Sequence, residues 1–458
     1  MKLFDTLTRA IKPLAPTTNS VKIYVCGLTV YDEMHLGHAC SSIATDVLAR
    51  WLRASGLSVK LVQNFTDIDD RIIQRAQAEG VDYKVVAARY IKSAQASAAS
   101  LNILPPDVAP LATEHIPQIT AMIATLIERG YAYVAASGVY FDVNAYIKRG
   151  GNYGELSGRA IEDMLADANE DAVADKRAAP DFALWKARAA GEPGWDSPWG
   201  AGRPGWHIEC SAMAREHLGD SFDIHGGGID LIFPHHENEL AQSKAALSVK
   251  SLAGHWMHNG LLNLPGDVKM SKSLGNSLFI GAALKKHSAD AIRLWRLQSH
   301  YRSPMTLRDD RIAGAERAVG RLRDCLALRS AADAPRLDCA RYWDAFAAAL
   351  NNDLNTPIAL GALFDLRRAT QNADPSKFNL TDAQALMRRM GDALGLRLSA
   401  PQPTAKISEA EIKRLLADRD AARRAKNFAE ADRLREQLRA DGVQIEDTPA
   451  GALWKYIA

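Results

Sequence analysis

Long apolar runs are missing from this 458-residue chain, so no membrane-spanning helix is expected. The start, Met-Lys-Leu-Phe-Asp-Thr-Leu-Thr-Arg, lacks the apolar core of a secretory signal, and Asp5 counts against a transit peptide. Cysteine is scarce: five residues (26, 40, 210, 325 and 339), odd in number and widely spaced, do not make a disulfide framework. They fit a reducing compartment, so a cytoplasmic location is expected. Charge of one sign is also lacking. A net +2 permits a nucleic-acid partner without requiring one. No repeat or low-complexity tract appears. What remains is ordinary globular material, 47% hydrophobic and 24% charged, long enough for about three domains.

The most informative stretch runs from Tyr24 to His38. Val21, Ile23 and Val25 alternate with Lys22, Tyr24 and Cys26, which predicts a strand ending in a turn at Gly27. A helix follows, with Ile43, Val47, Leu48, Trp51 and Leu52 on one face. His35 and His38 flank Gly37 where it opens. Such a junction offers backbone N–H groups and the positive end of a helix dipole to an anion, and Gly37 allows close approach to the backbone. Two ordinary surface histidines would give the same pattern. After Ser55-Gly56, Val59–Phe65 reads as a second strand, completing a βαβ unit of a parallel sheet whose ligands sit beyond the carboxyl ends of the strands. Thr66-Asp-Ile-Asp-Asp70 falls there, either as a helix cap provided by Thr66 or Asp67 or as a pocket wall.

From Pro105 to about Pro204 the texture changes to a mixture: a helix over 116–129, a strand over 139–143, then Gly/Pro-rich loops. This reads as an insertion between two halves of the sheet domain. The α/β pattern resumes with a short strand, Phe222–His225, three glycines, and a helix from about Pro234. His235 and Glu239, four apart, share a helix face. His236, with Leu240 at the matching position, cannot form an equivalent pair. With Cys26 and Cys210 they form a plausible zinc set. No C-x-x-C knuckle ties these ligands locally, so buried, inert cysteines remain an alternative.

Lys269 and Lys272 lie in a serine-containing stretch bracketed by Gly266 and Gly275. Ammonium groups on a loop suit a polyphosphate, and a solvated basic loop is the bland reading. Between Lys285 and Arg323 there are ten Lys/Arg against four Asp/Glu. Ile312, Ala315, Val319, Leu322 and Leu326 keep helical spacing there, giving an amphipathic helix with a basic outer face. Ser399-Ala-Pro-Gln-Pro-Thr404 reads as a linker. Residues 407–458 form a small unit of two helices, a stop at Gly442 and an extended end carrying Trp454. Its Lys/Arg and Asp/Glu counts are equal at ten each, so charge does not mark it as an RNA binder.

Taken together, these motifs resemble the cysteinyl-tRNA synthetases, a branch of the class I aminoacyl-tRNA synthetases, along essentially the whole chain. His35-Leu-Gly-His38 is similar to that family's HIGH motif, and Lys269-Met-Ser-Lys-Ser273 matches KMSKS letter for letter. Tyr24-Val-Cys-Gly, Asn64–Asp70, Gly205–Met213 and Phe233–Glu239 resemble the cysteine-specific branch. Ala39-Cys40 departs from it, since many relatives carry Gly or Ala and then Arg, and this bears only on local phosphate contacts. The resemblance implies an α/β fold with a Rossmann-like parallel-sheet catalytic domain (1–104 and 205–300), a connective insertion (105–204), a helical bundle (301–398) and a small anticodon-binding domain (407–458). It implies activation of L-cysteine with ATP, then transfer to the 3′ end of tRNA(Cys), by a cytoplasmic monomer. His35, Gly37, His38, Asp230 and Lys272 would hold ATP with Mg²⁺, and Lys269 would assist. Thr29, Thr66 and Trp206 would line the cysteine pocket. One Zn²⁺ on Cys26, Cys210, His235 and Glu239 would bind the substrate thiol. Arg423, Asp432, Arg435, Asp447 and Trp454 are the candidates for tRNA contact, with Trp454 equally suited to packing the small core. A small-molecule cysteine ligase sharing the adenylate chemistry would lack the region 407–458, and a silent RNA-binding relative would not need the intact motifs.

Overall fold

The computed structural model describes residues 1–16, 18–159, 175–264, 268–269, 278–331, 333–398, 407–448 and 451–456. They fall into two compact units. The larger comprises 1–318 with 340–365 and 390–396; the smaller comprises 319–339, 366–389 and 397–458.

The larger unit is built on a four-stranded sheet that opens with β1 (Ser20–Thr29). Helix α1 (Leu36–Ala54) leads to β2 (Ser58–Thr66), and after residues 105–204 come α2 (Trp206–Leu218), β3 (Phe222–Gly228), α3 (Glu237–Leu247), β4 (Ala253–Asn259) and α4 (Ala289–Leu297). The order is β4-β3-β1-β2, with every pairing parallel. Tyr24 is buried along with Val21, Ile23 and Val25, so β1 is covered on both faces, as parallel sheets require. The α1 stripe Ile43, Val47, Leu48, Trp51 and Leu52 is likewise buried.

Two strand ends differ from expectation. β1 does not stop at Gly27 but runs on to Thr29 through a bulge: Val25 pairs with Gln63 and Leu28 with Phe65, so Cys26 and Gly27 together face Asn64. Gly27 is what lets the strands close, because an added Cβ would lie 1.6 Å from the Asn64 carbonyl oxygen. Bulges of this kind re-aim a side chain. β3 in turn continues through Gly226 to Gly228, paired with Met257 to Asn259. At Gly227 an added Cβ would sit 2.7 Å from the His236 ring. The three glycines that follow the expected strand are themselves strand residues, and they admit a histidine. Helix α3 consequently starts at Glu237, after two irregular turns over 229–236 in which Phe233 is extended.

The helix Asp70–Glu79 is capped by Asp69, which accepts from the Arg71 N–H. The Asp67 carboxylate instead accepts from Thr113 N (3.0 Å) and Oγ1 (2.6 Å). Between 105 and 204 the strand read over 139–143 is Gly138–Phe141, and Val143 opens a helix capped by Asp142. Strands 132–135, 138–141, 182–187 and 202–204 make an antiparallel sheet. Ile312, Ala315, Val319, Leu322 and Leu326 are buried as their spacing predicts. The basic excess around them is partly internal: Arg293 and Arg296 on α4 are fully buried, with Arg293 on Asp46 (2.5 Å) and Arg296 on the Cys40 carbonyl (3.1 Å).

In the smaller unit, helices Glu409–Arg424 and Phe428–Ala440 and a hairpin, Val443–Thr448 with Gly451–Tyr456, enclose a core of Ile412, Leu415, Leu434, Leu438, Val443 and Ile445. Gly442, in the left-handed region at φ 89°, ends the second helix. Among the described residues no helix is long and apolar enough to cross a membrane.

Candidate active site

Four donors from distant parts of the sequence meet at the carboxyl end of the sheet. The β1 bulge presents Cys26, the buried face of α2 presents Cys210, the turn before α3 presents His235, and α3 presents Glu239. Their ligand atoms all lie within 4.8 Å of one another. Cys26 Sγ is 3.7 Å from Cys210 Sγ and 3.3 Å from Glu239 Oε1, and His235 Nε2 is 3.0 Å from the same oxygen. Two sulfurs, an imidazole nitrogen and a carboxylate oxygen in a buried volume of this size suit a borderline-soft divalent cation.

The charges of the metal-free cluster are mutually dependent. Burial pushes the Cys26 thiol well up, and neighbouring Cys210 and Glu239 add to it. The hydrogen bond from Cys26 brings Cys210 down to about 6, against burial. Burial opposes the His235 imidazolium, but Glu239 beside it and contact with Cys210 raise it to about 10. Glu239, despite burial, is held well below the carboxylate range by His225 and His235. A proton on His235 therefore occupies the place of a cation among donors that are or can become anionic.

Sequence spacing missed the shell around these donors. His225 Nε2 lies 3.0 Å from Glu239 Oε2, and its ring stacks on Trp256. His236 Nε2 is 3.3 Å from Cys26 Sγ and its Nδ1 is 2.8 Å from His258, which in turn reaches Thr6 (2.8 Å). Leu240 stands four residues after His236, as its spacing indicates, yet the ring still joins the cluster, 3.3 Å from Cys26 across the β1 bulge and 4.0 Å from Glu239 Oε1 three residues on. Cys26, His225, His236 and Glu239 form a second set within the same 4.8 Å limit. Burial depresses His236 well below its usual range and His258 to about 3, keeping both neutral. The adjacent histidines at 235 and 236 were the available signal. Asn64 was missed as well: its side-chain oxygen accepts from the Gly27 N–H at 2.9 Å and fixes the bulge.

The histidine pair is built locally. His35 is the N-cap of α1, its Nδ1 accepting from the N–H groups of Gly37 (3.1 Å) and His38 (3.4 Å). The His38 Nδ1 accepts from the His35 N–H, and the two rings stack at 3.7 Å. These first-turn amides are thus already occupied, and Gly37 is needed because an added Cβ would meet the His35 ring at 2.8 Å. With Nδ1 accepting, His35 carries its ring proton on Nε2. The backbone around this turn is fixed from a distant segment: Leu36 N–H bonds Leu278 O, and Ile280 N–H bonds Met34 O.

Of the remaining sequence candidates, Thr66 is buried and donates to Glu209 Oε2 (3.2 Å), and Thr29 ends β1. The Trp206 ring lies 4.5 Å from that of His235. Asp230 is exposed in the turn directly after β3. Lys269 closes a two-residue strand, Val268–Lys269, paired with Leu262–Leu264; Lys272 lies outside the described residues. Arg423, Asp432 and Arg435 are exposed on the C-terminal helices, and Asp447 is on the hairpin. Trp454 packs against the small core with the Arg329 guanidinium 5.3 Å from its ring, so its face is in use within the protein.

Comparison with known proteins bears on the whole chain. Residues 12–317 match the family model of the class I (C) tRNA synthetase catalytic domain, 345–399 a DALR domain, and 408–454 the cysteinyl-tRNA ligase anticodon-binding domain. Cysteine–tRNA ligases of Dehalococcoides mccartyi and Thioalkalivibrio sulfidiphilus are each 44% identical, over 99% of this chain and 99% of theirs. That of Alkalilimnicola ehrlichii is 46% identical over 97% and 96%. In fold the chain is similar to a Mycobacterium tuberculosis methionyl-tRNA synthetase (TM-score 0.60, 16% identity, 83% of this chain and 88% of that one). A leucyl-tRNA synthetase of Agrobacterium radiobacter gives 0.58 at 12% identity, over 84% and 85%. A parallel sheet with motif-bearing strand ends, three consecutive family domains and full-length identity lead to one conclusion: the chain is an ATP-dependent aminoacyl-tRNA ligase and belongs to the cysteine–tRNA ligase family.

Proposed function

We propose that the protein activates L-cysteine with ATP and transfers it to tRNA(Cys), in the cytoplasm and as a monomer, and that zinc selects the substrate. The observation that carries the reading is the meeting of Cys26, Cys210, His235 and Glu239 within 4.8 Å, on a sheet whose first strand leads into the histidine-capped helix α1. Those four would hold Zn²⁺, and the set of His225, His236 and His258 would orient them from behind. When bound, zinc would take a thiolate far better than a hydroxyl, which separates cysteine from serine without an editing site.

In the first half-reaction an oxygen of the cysteine carboxylate attacks the α-phosphorus of ATP and pyrophosphate leaves. In the second, a ribose hydroxyl at the tRNA 3′ end attacks the carbonyl and AMP leaves. Such chemistry depends on positioning and charge stabilisation. His35, stacked on His38 and held at Nδ1 by the Gly37 N–H, would offer its Nε2–H to a phosphate oxygen. Asp230, at the carboxyl end of β3, would take the ATP ribose. Lys269 and Lys272 would neutralise the departing pyrophosphate, with Mg²⁺ accompanying ATP. Thr29, Thr66 and Trp206 would wall the cysteine pocket. Domain roles follow the division proposed from sequence, with 407–458 reading the tRNA through Arg423, Asp432, Arg435 and Asp447. Trp454 would support that surface from within.

The test is pyrophosphate exchange that depends on cysteine and not serine, followed by tRNA charging with labelled cysteine. Cys210→Ser should remain folded, lose zinc and bind cysteine poorly. Normal charging by that variant would refute the role of zinc.

A further inference from the structure

Outside the site, the turn Asn351–Thr356 of the larger unit is held by bonds to several distant segments. Asp353 (φ +59°) and Leu354 (φ +48°) stand side by side in the left-handed region, and both are buried. Aspartate is tolerated there; a bulky leucine next to it is an outlier that persists only where the surroundings over-determine it. The Asp353 carboxylate takes donors from two separate segments. Oδ1 accepts from the Phe4 N–H and the Tyr301 hydroxyl, both at 2.8 Å, and Oδ2 accepts from Arg302 Nε (2.9 Å) and Nη2 (2.6 Å). His300 Nε2 is 3.5 Å from Oδ2, and the Asp353 N–H bonds Lys2 O.

What Asp353 fixes leads to the lysine motif. The Tyr301 carbonyl accepts from the Gly260 N–H, after which Met305 N–H bonds Leu261 O and Leu307 N–H bonds Asn263 O. Leu262 and Asn263 pair with Met305 and Thr306 on one side, while Asn263 and Leu264 pair with Lys269 and Val268 on the other. At Gly260 the two segments touch so closely that an added Cβ would lie 2.3 Å from Ser303 O. The same turn reaches the histidine helix, since Asn351 Oδ1 accepts from Trp51 Nε1 at 3.0 Å. Thr356 Oγ1 donates to Leu297 O at the end of α4.

We infer that Asp353 is a positioning residue for ATP: by clamping Tyr301 and Arg302 it sets the register of the strand that ends at Lys269, relative to the helix that begins with His35 and His38. This rests on the reading of Lys269 as an ATP-handling group. Nothing in the metal cluster depends on it, so its loss should separate the two substrates. In zinc-loaded protein, Asp353→Asn keeps a side chain that suits the left-handed backbone while setting an amide donor against Arg302. The expected result is an ATP KM raised about tenfold, short of the hundredfold that a 1 Å misplacement can cost. Cysteine KM and zinc content should stay within about twofold, and amide exchange should quicken at Met305 and Leu307.

An unchanged ATP KM would overturn the inference, as would ATP KM, cysteine KM and zinc content all changing together, which would mark a purely structural role. Lys269→Ala separates the two readings. If it leaves ATP KM unchanged, the role of Lys269 is wrong, and the amide exchange of Asp353→Asn still decides whether the clamp holds the strand register. If it raises ATP KM while Asp353→Asn does not, the inference alone fails. Should Asp353→Asn not fold, Tyr301→Phe removes one donor and carries the same test with about a threefold change.

Discussion

The buried donor cluster draws its groups from β1, α2, the turn before α3 and α3 itself, more than two hundred positions apart in the chain. The histidine pair is one helix start, each residue bonded to its neighbours. The cluster depends on sheet register, a bulge and close-packed glycines; the pair depends on a cap. Damage should therefore propagate differently. A change anywhere in the cluster's frame should strip zinc and cysteine together, whereas a change in the pair should act on ATP and leave zinc in place.

The largest effect is expected where the frame leaves no room. Gly27→Ala would place a Cβ 1.6 Å from Asn64 O, forcing the bulge apart. We expect about 3 kcal/mol of destabilisation by chemical denaturation, of the size found for overpacked cores, together with loss of zinc. If Gly27→Ala keeps zinc, the bulge is not what aims Cys26.

Next comes Glu239→Gln, which removes the charge that His225 and His235 face. Zinc affinity should fall by more than the roughly tenfold to hundredfold that loss of an outer-shell partner costs, read by competition with a chelator, while ATP binding is unchanged.

A third expectation concerns protons. In the metal-free protein His235, raised to about 10, and Cys26, raised well above the usual thiol range, each carry a proton that ligation must displace. Cys210 at about 6 and Glu239, depressed, are already ionised at pH 7.5. Zinc binding should thus release about two protons, and apparent affinity should climb about a hundredfold per pH unit from about 7 toward 9. Below pH 6 a third proton joins from Cys210 and the slope steepens. Calorimetry in buffers of different ionisation enthalpy measures the count, and a count of zero would break the electrostatic account.

For the pair, His35→Ala removes the cap on Gly37 and His38. It should cost about 1 kcal/mol of stability and slow pyrophosphate exchange, with zinc retained. Smallest of all, Asp69→Ala should cost about 1 kcal/mol through the cap of Asp70–Glu79, with both substrates bound normally.

The same contrast explains what could be read from residue order. The parallel sheet was legible because Val21, Ile23, Val25 and Val59–Phe65 bracket an amphipathic helix, and burial follows that pattern. Gly27 misled, since glycine signals a turn locally and yet here serves close approach across strands. Cys26, Cys210, His235 and Glu239 could be nominated by chemistry and resemblance, but their meeting depends on sheet register, which periodicity does not encode. Helical spacing pairs His236 with Leu240, but residues 232–236 are not yet in a regular helix, and the ring reaches Cys26 and Glu239 instead. Arg293 and Arg296 looked like part of a basic surface because composition does not distinguish a solvated cation from one stapled to buried carbonyls.

X-ray absorption at the zinc edge of the purified protein, with and without cysteine, tests the shared-ion account most directly. The account predicts one zinc per chain with two sulfur neighbours near the usual ~2.3 Å and the remainder nitrogen or oxygen, and a third sulfur on adding cysteine but not serine. An ion without sulfur neighbours, or a sulfur count that cysteine does not change, would contradict it.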